Sequence, residues 1–360
     1  MAASIYAIGT AQPAHCLSQE LAAKMVRSFM AGAEEDLQAF EEMLHRSGVV
    51  KRASVVLENE EGDQTFYAPA KGPGDQGPTT GQRMKFYARE AGPLAAKAAG
   101  SALEASGCRP EQITHLVTVS CTGFCAPGLD AFLVRCLGLS PNVGRLHLGF
   151  MACHAAINGL MAAKALVECD PSALVLICAV ELCTLHFQHG FEAAQMFANT
   201  LFADGAAAVV VGPEKSAPPG AWRLLATGSI LMPDSADAMT WEVGDHGFRM
   251  SLEGIAPHLI SGRLRGWLKD WLAGCGLSLE QIGSWGIHPG GVRLASAVAR
   301  LLKLPRTVAA ASNELLAECG NMSSPTVLFI LDRLQRTGAA RPCVLLAFGP
   351  GLTAEAALVG

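Results

Sequence analysis

The sequence predicts a duplicated mixed α/β protein, two units of similar helix–strand order packed as pseudo-equivalent halves. Three observations carry this reading. Half of the 360 residues are hydrophobic and only 16% are charged, the balance of a chain with a large buried core rather than a disordered one. Helical patterns rich in Ala or Leu alternate with short β-branched and aliphatic runs, the order expected of a largely parallel sheet covered by helices. The chain is also written twice: Arg-Pro-Glu-Gln-Ile ends at Ile113 and Ser-Leu-Glu-Gln-Ile at Ile282, 169 positions apart, while Cys153 and Asn321, each opening a helical run, are 168 apart.

The elements follow in register. Helical patterns over 88–106 and 257–273 precede the two signatures, and short apolar strands over 116–119 and 285–287 follow them. Next come helices over 155–167 and 325–334, then strands over 173–180 and 343–348. Each unit closes on a Gly-rich turn and a small apolar strand, within 203–212 and 349–360, which divides the chain into halves 1–213 and 214–360. Residues 182–201 have no counterpart in the second half and read as an apolar insertion at a strand end, where such segments shape substrate or subunit contacts. Cys153 and Asn321 are placed at equivalent helix starts and His288 at the end of the second half's strand, where α/β sheets hold their ligands.

Composition removes other classes. A net charge of −5 gives no reason to expect nucleic acid. No apolar run is long enough for a membrane span, and the start lacks the basic and apolar regions of a secretion signal, so a cytoplasmic protein is expected. The twelve cysteines fit neither a disulfide framework nor a zinc site, since Cys121 and Cys125 have no matching second pair. Eleven of them read as core filling, and no metal or cofactor is called for.

Cys153 reads differently. A cysteine at a helix start gains from the positive end of the helix dipole, and a protonated neighbouring His favours the thiolate further. An Asn amide beside that His supplies a second donor to a developing oxyanion. Cys153, His288 and Asn321 together therefore suit acyl transfer followed by carbon–carbon bond formation. A cysteine hydrolase also combines Cys, His and Asn, but there Asn only orients the base.

Five stretches, in order along nearly the whole chain, resemble type III polyketide synthases of the chalcone and stilbene synthase kind. They are Cys-Thr-Gly-Phe-Cys-Ala-Pro-Gly-Leu-Asp (121–130), Leu-Phe-Ala-Asp-Gly-Ala-Ala-Ala-Val (201–209), Gly-Ile-His-Pro-Gly-Gly (286–291), Glu-Cys-Gly-Asn-Met-Ser-Ser (318–324) and Phe-Gly-Pro-Gly-Leu-Thr (348–353). The resemblance implies the thiolase fold, a duplicated five-layered αβαβα architecture, in a homodimer. It implies Cys153 as the acyl-carrying nucleophile, with His288 and Asn321 activating it and holding the enolate of a decarboxylating malonyl thioester. Coenzyme A thioesters are the implied substrates, with an acyl carrier protein as the other donor to consider.

Further roles follow residue by residue. Phe202 and Phe248 resemble the aromatic gatekeepers between the coenzyme A tunnel and the cavity. Thr122, Cys183 and His186 resemble cavity-lining positions, and Ser323 belongs to the same lining. The Phe348–Gly351 loop, with Gly349 and Pro350, is expected to let the backbone approach the substrate. Ala126 resembles the residue that reaches into the partner's cavity. Arg46, Lys51 and Arg52 are candidates for a basic coenzyme A patch.

The chain departs from the family at Ala152, Ala155 and Ala156, where glycines are usual, and at His154 directly after the thiol. Cys183 and His186 replace the threonines of the plant enzymes. This leans toward bacterial members that take long-chain acyl starters and make alkylpyrones or alkylresorcinols. A single-condensation ketoacyl synthase III-like enzyme and a non-catalytic thiolase-fold subunit are the rival readings, separated by product chain length and by thiol trapping.

Overall fold

The computed structural model describes residues 2–251 and 257–360. In the first half β1 (Ala3–Ala11) leads through β2 (Cys16–Ser18), α1 (Gln19–Phe29), α2 (Glu34–Arg46) and β3 (Lys51–Ala53) to the long helix α3 (Thr80–Ser106). There follow β4 (His115–Ser120), α4 (Leu129–Leu137), β5 (Gly144–Gly149), α5 (Ala155–Cys169), β6 (Val175–Leu182), α6 (Ala193–Leu201) and β7 (Asp204–Pro213). The second half runs from β8 (Trp222–Leu231) through the hairpin of β9 (Thr240–Gly244) and β10 (Gly247–Ser251) to α7 (Pro257–Gly274) and β11 (Ser284–Ile287). It ends with α8 (Leu294–Leu302), α9 (Ala310–Cys319), α10 (Pro325–Arg336), β12 (Cys343–Gly349) and β13 (Thr353–Val359).

The repeat appears as a palindrome of strands. Nine of them form one sheet in the order β11-β12-β13-β8-β1-β7-β6-β4-β5, so β4, β6, β7 and β1 mirror β11, β12, β13 and β8 across the β1–β8 seam. That seam is short, with Ala3–Ile5 set against Trp222–Leu224, and Leu224 faces Val359 of β13 on its other side. The sheet is mixed, which corrects the expectation of a largely parallel one. Only β4 with β5 and β6, and β11 with β12, are parallel. The β12–β13 connection is a tight turn with Gly351 at φ 68, which sends β13 back antiparallel, and β7 returns along β6 in the same sense.

Side chains explain the five layers. Along β6, Val175, Ile177 and Ala179 point into a central core with α5 and α10, while Leu176, Cys178 and Val180 point into an outer core with α3 and α4. Along β12, Cys343, Leu345 and Ala347 face the same central core, and Val344, Leu346 and Phe348 face α7 and α8. Both sheet faces are buried, so these strands read as continuous apolar runs with no alternation. The order is α3/α4, sheet, α5/α10, sheet, α7/α8, the thiolase-type layering expected from the sequence.

Three local features differ from the sequence reading. Helix α3 starts at Thr80, ahead of the expected 88, because Thr79 and Gln82 form a capping box on a polar first turn. The 182–201 insertion is not a loop but the 3₁₀ turn Cys183–His186 followed by α6, with Leu185, His186, Met196 and Leu201 inside. All twelve cysteines are free, yet only six are buried, since Cys125, Cys136 and Cys169 are exposed and Cys16, Cys108 and Cys275 half-buried; core filling describes fewer of them than expected. Among the described residues no helix is long and apolar enough to cross a membrane, and no group of His, Cys, Asp and Glu could hold a metal ion.

Candidate active site

Cys153 lies in the 3₁₀ turn Ala152–His154 that feeds α5. Phe150 and Ala152 have positive φ, 58° and 55°, and bend the chain sharply between β5 and the helix. The thiol is 4% exposed, and the Ser323 hydroxyl donates to its Sγ at 3.5 Å. Asn321 does not open α10 but sits in the turn before it. Its N–H donates to the Leu201 carbonyl and its own carbonyl accepts the Ala203 N–H, which fastens the second half to the Phe202 segment of the first. Asn321 Oδ1 accepts the Ser323 N–H at 2.8 Å, which leaves the amide's donors for the thiol.

His288 continues the β11–β12 ladder through its N–H to the Leu346 carbonyl, 2.8 Å away. Its ring is 1% exposed, and neither nitrogen has a hydrogen-bond partner among the described residues. Buried polar groups are rarely left so, and a ring in this condition is poised for a ligand. His154, directly after the thiol, stands beside it.

Burial opposes the expected thiolate–imidazolium pair. Burial pushes the Cys153 thiol up to about 12, although Ser323 and Asn321 pull it down. Burial, and then His154, bring His288 down to about 3. A helix dipole contributes about 0.3–1 kcal/mol, less than one decade of acidity, and cannot offset full enclosure. Burial thus works against the charged form of both the thiol and the imidazole.

Glu181 is the residue that sequence reading missed. It is the last residue but one of β6, with its carboxylate fully buried beneath the site and raised by that burial. It accepts the Ser324 hydroxyl at 2.6 Å, the Thr122 hydroxyl at 2.7 Å and the Cys121 N–H at 2.9 Å. These bonds hold the turns after β4 and before α10 against one another. One signal was present, an acidic residue inside the apolar run Val-Leu-Ile-Cys-Ala-Val-Glu-Leu.

Two cavities meet near the thiol. The smaller, about 20 Å³, is lined by Cys153, Thr122, Ser323 and Cys121 among others. The larger, about 140 Å³, runs beneath α1 and α2 and is mostly apolar. Cys183, Phe202, Trp241 and Met250 line both, so Phe202 stands on the partition between them. Trp241, also missed, is pinned there by its indole N–H to the Cys121 carbonyl at 2.8 Å.

Phe248 lines only the larger cavity and stacks on His186, centroids 4.2 Å apart. His186 also lines it, but serves as a strut. Its Nε2–H donates to the Thr122 carbonyl at 2.7 Å and its Nδ1 accepts the Phe248 N–H at 2.9 Å, while burial lowers it to about 3. Gly349 borders neither cavity. A Cβ there would fall 2.2 Å from the His154 ring, so its small size serves packing against the turn that carries Cys153. Pro350 starts the turn into β13, away from both cavities. Ala126 is exposed in the loop after β4.

The three basic candidates are not equivalent. Arg46 is exposed and paired with Glu42 at 3.1 Å, and Lys51 is exposed. Arg52 turns inward to line the larger cavity and donates to the carbonyls of Asn199 and Phe202, with burial lowering it to about 10. Its guanidinium is thereby committed to the Phe202 segment rather than to a surface patch.

Known proteins match along the whole chain. Residues 1–215 match the N-terminal domain of chalcone and stilbene synthases and residues 223–360 the C-terminal domain. The chain is 33% identical over 361 residues to a 1,3,6,8-tetrahydroxynaphthalene synthase of Streptomyces peucetius subsp. caesius, covering 99% of this chain and 92% of that one. It is 32% identical over 287 residues to the alpha-pyrone synthesis polyketide synthase-like Pks18 of Mycobacterium tuberculosis, covering 78% and 73%. Among solved structures, PKS-I of the brown alga Ectocarpus siliculosus superposes with a TM-score of 0.92 at 29% identity, covering 99% of this chain and 98% of that one. The C-terminal type III domain of Steely1 from Dictyostelium gives 0.90 at 24% identity over 100% and 99%, a likeness of fold alone. The chain belongs to the chalcone and stilbene synthase family and is a type III polyketide synthase, an acyltransferase.

Proposed function

We propose that the enzyme loads a long-chain acyl group from coenzyme A onto Cys153, extends it by repeated decarboxylative condensation with malonyl-CoA, and releases a cyclised pyrone or resorcinol-type product. The observation that carries this reading is the larger cavity. Leu17, Met25, Val26, Phe29, Phe40 and Leu44 line it with hydrocarbon, and it meets the thiol's pocket at Phe202. An apolar chain is what such a wall holds best. The name of the relative from Mycobacterium tuberculosis, alpha-pyrone synthesis, supports the pyrone product.

Groups that burial disfavours as ions suit the chemistry. As Cys153 Sγ attacks the thioester carbonyl, its proton passes to His288, so charge develops only in the transition state. The departing coenzyme A sulfur then takes that proton. Malonyl thioester next enters and loses carbon dioxide. The enolate oxygen is held by the Asn321 amide and His288, whose unpartnered nitrogens await such a group. The carbanion attacks the acyl-Cys153 carbonyl and expels Sγ, which takes up a proton, so the lengthened chain is left on coenzyme A; a second transfer to Sγ frees that coenzyme A and readies the chain for another round.

The working unit in this reading is a homodimer in the cytoplasm. β5 ends the sheet, and exposed Leu146, Phe124, Phe150, Met151 and Met161 lie on it and on neighbouring segments. An open apolar edge of this kind suits pairing with a second copy.

The test is a product assay by mass spectrometry with malonyl-CoA and starters from acetyl-CoA through aromatic to long-chain acyl-CoAs. Long-chain starters carrying two or more extender units support the reading. Use of malonyl-CoA alone, or only single condensations, would overturn it.

A further inference from the structure

In the wall of the larger cavity, whose polar residues also include Arg52, Gln64, Gln195 and Asn199, Ser54, just after β3, meets Thr184 in the turn after β6. Asp204, the first residue of β7, lies behind them, fully buried. Its Oδ1 accepts the Thr184 N–H at 2.8 Å, and its Oδ2 accepts the Thr184 hydroxyl at 2.6 Å and the Val55 N–H at 2.9 Å. With its proton given to the carboxylate, Thr184 Oγ1 accepts the Ser54 hydroxyl at 2.6 Å. Ser54 Oγ in turn accepts the Val56 N–H at 3.2 Å.

The direction of this chain is set by the anion at its end. A hydroxyl has one proton to give and two lone pairs. Ser54 has given its proton toward Asp204 and used one lone pair on Val56, so one acceptor site remains and no donor. Ser54 and Thr184 both line the cavity, and Cys183, next to Thr184, lines the thiol's pocket as well. A chain tethered to Cys153 and threaded past Phe202 would therefore meet, at Ser54, a hydrogen-bond acceptor that has no proton to give. A hydroxyl or enol can donate to it, whereas a ketone or methylene cannot. Burial raises Asp204 only to about 6, so at neutral pH the carboxylate remains charged and the polarity holds. None of the steps assigned above uses these residues.

We propose that Ser54, Thr184 and Asp204 form a recognition site for a hydroxyl or enol on the acyl chain, selecting chains that carry one at the carbon passing Thr184. This rests on the reading of the larger cavity as the acyl-chain site. The experiment is a competition among acyl-CoA starters of one length: unsubstituted, with one hydroxyl at successive carbons, or with one keto group. Relative kcat/KM is read from product masses in wild type, Ser54→Ala, Thr184→Val and Thr184→Ser.

One hydroxyl position should be preferred over the unsubstituted chain by roughly two- to tenfold, the worth of one added hydrogen bond. The matching ketone should show no such gain. The preference should vanish in Ser54→Ala and Thr184→Val and persist in Thr184→Ser, a pattern that a purely structural brace would not produce. A flat wild-type profile, or a preference that survives in Ser54→Ala, overturns the proposal while the long-chain reading stands. If no acyl chain of that length is extended at all, the long-chain reading fails and this proposal fails with it.

Discussion

Gly349→Ala probes how tightly the second half braces the turn that carries Cys153. Gly349 is extended, with φ −158° and ψ −172°, so the backbone itself accepts any residue. The obstacle is His154. A methyl at 349 would lie 2.2 Å from its Cδ2, 2.6 Å from its Nε2 and 3.1 Å from the Met151 carbonyl oxygen. Ordinary contact is about 3.5–4.0 Å. The ring is tethered, since its Nδ1–H donates to Asn158 Oδ1 at 2.7 Å, so the turn carrying Cys153 must give way.

Overpacking of this kind costs roughly 1–3 kcal/mol, and restriction of the unfolded chain offsets about 0.4–1 kcal/mol of it. With about 2.1 cal/mol/K of unfolding entropy per residue, a net cost of about 1–2 kcal/mol lowers Tm by roughly 1–3 °C for this 360-residue chain. Acyl loading should fall further, because about 1 Å of misplacement can cost roughly a hundredfold in rate. Thermal unfolding at one scan rate and acyl loading by intact mass measure the two effects. His154→Ala removes the ring, so the double variant should be more stable than the single changes predict by about 0.5–3 kcal/mol. A Gly349→Ala enzyme with wild-type Tm and loading, or a strictly additive double variant, would refute the clash.

Three other expectations follow. Cys153→Ala should fold normally yet take up no acyl group, and an acyl adduct of unchanged stoichiometry in the intact mass would remove Cys153 as nucleophile. Asp204 is held near 6 in the fold against its ordinary 3.8. The folded state therefore binds its proton more tightly, and this contribution to stability is present below about pH 4 and lost as pH rises through about 6, a change of roughly 3 kcal/mol. Denaturant midpoints should shift against wild type relative to Asp204→Asn between pH 4 and 7, and a constant gap would contradict the assignment. Leu146→Asp places a charge on the open β5 edge and should turn a dimer into a monomer in sedimentation; a variant that still sediments as a dimer would move the interface elsewhere.

Much of the architecture was legible because duplication leaves a trace that needs no structure. The 169-residue spacing of Ile113 and Ile282 returns as the mirror pairing of β4 with β11 across one sheet. Strand direction was not legible. Buried parallel and antiparallel strands share the same continuous apolar run, and only the turn at Gly351 distinguishes β13. At the site, residue types in motifs pointed to Cys153, His288 and Asn321, but the pull of burial on their acidity was not legible, because no motif records enclosure. Arg52 shows the same limit. Its neighbours Arg46 and Lys51 face water, while its own guanidinium turns toward carbonyls far away in the sequence.

Leu224 has Ala3 on one side and Val359 on the other. Two strand spacings, about 10 Å, therefore separate positions that are almost the full chain apart in sequence. Bridging them with a short linker and opening the chain in the 214–221 connection would present the His288 half to the ribosome before the Cys153 half, with every strand neighbour kept. Order of synthesis is thus separable from the geometry of the site. A permuted chain of this kind would ask which half must exist first for the thiol and the imidazole to meet.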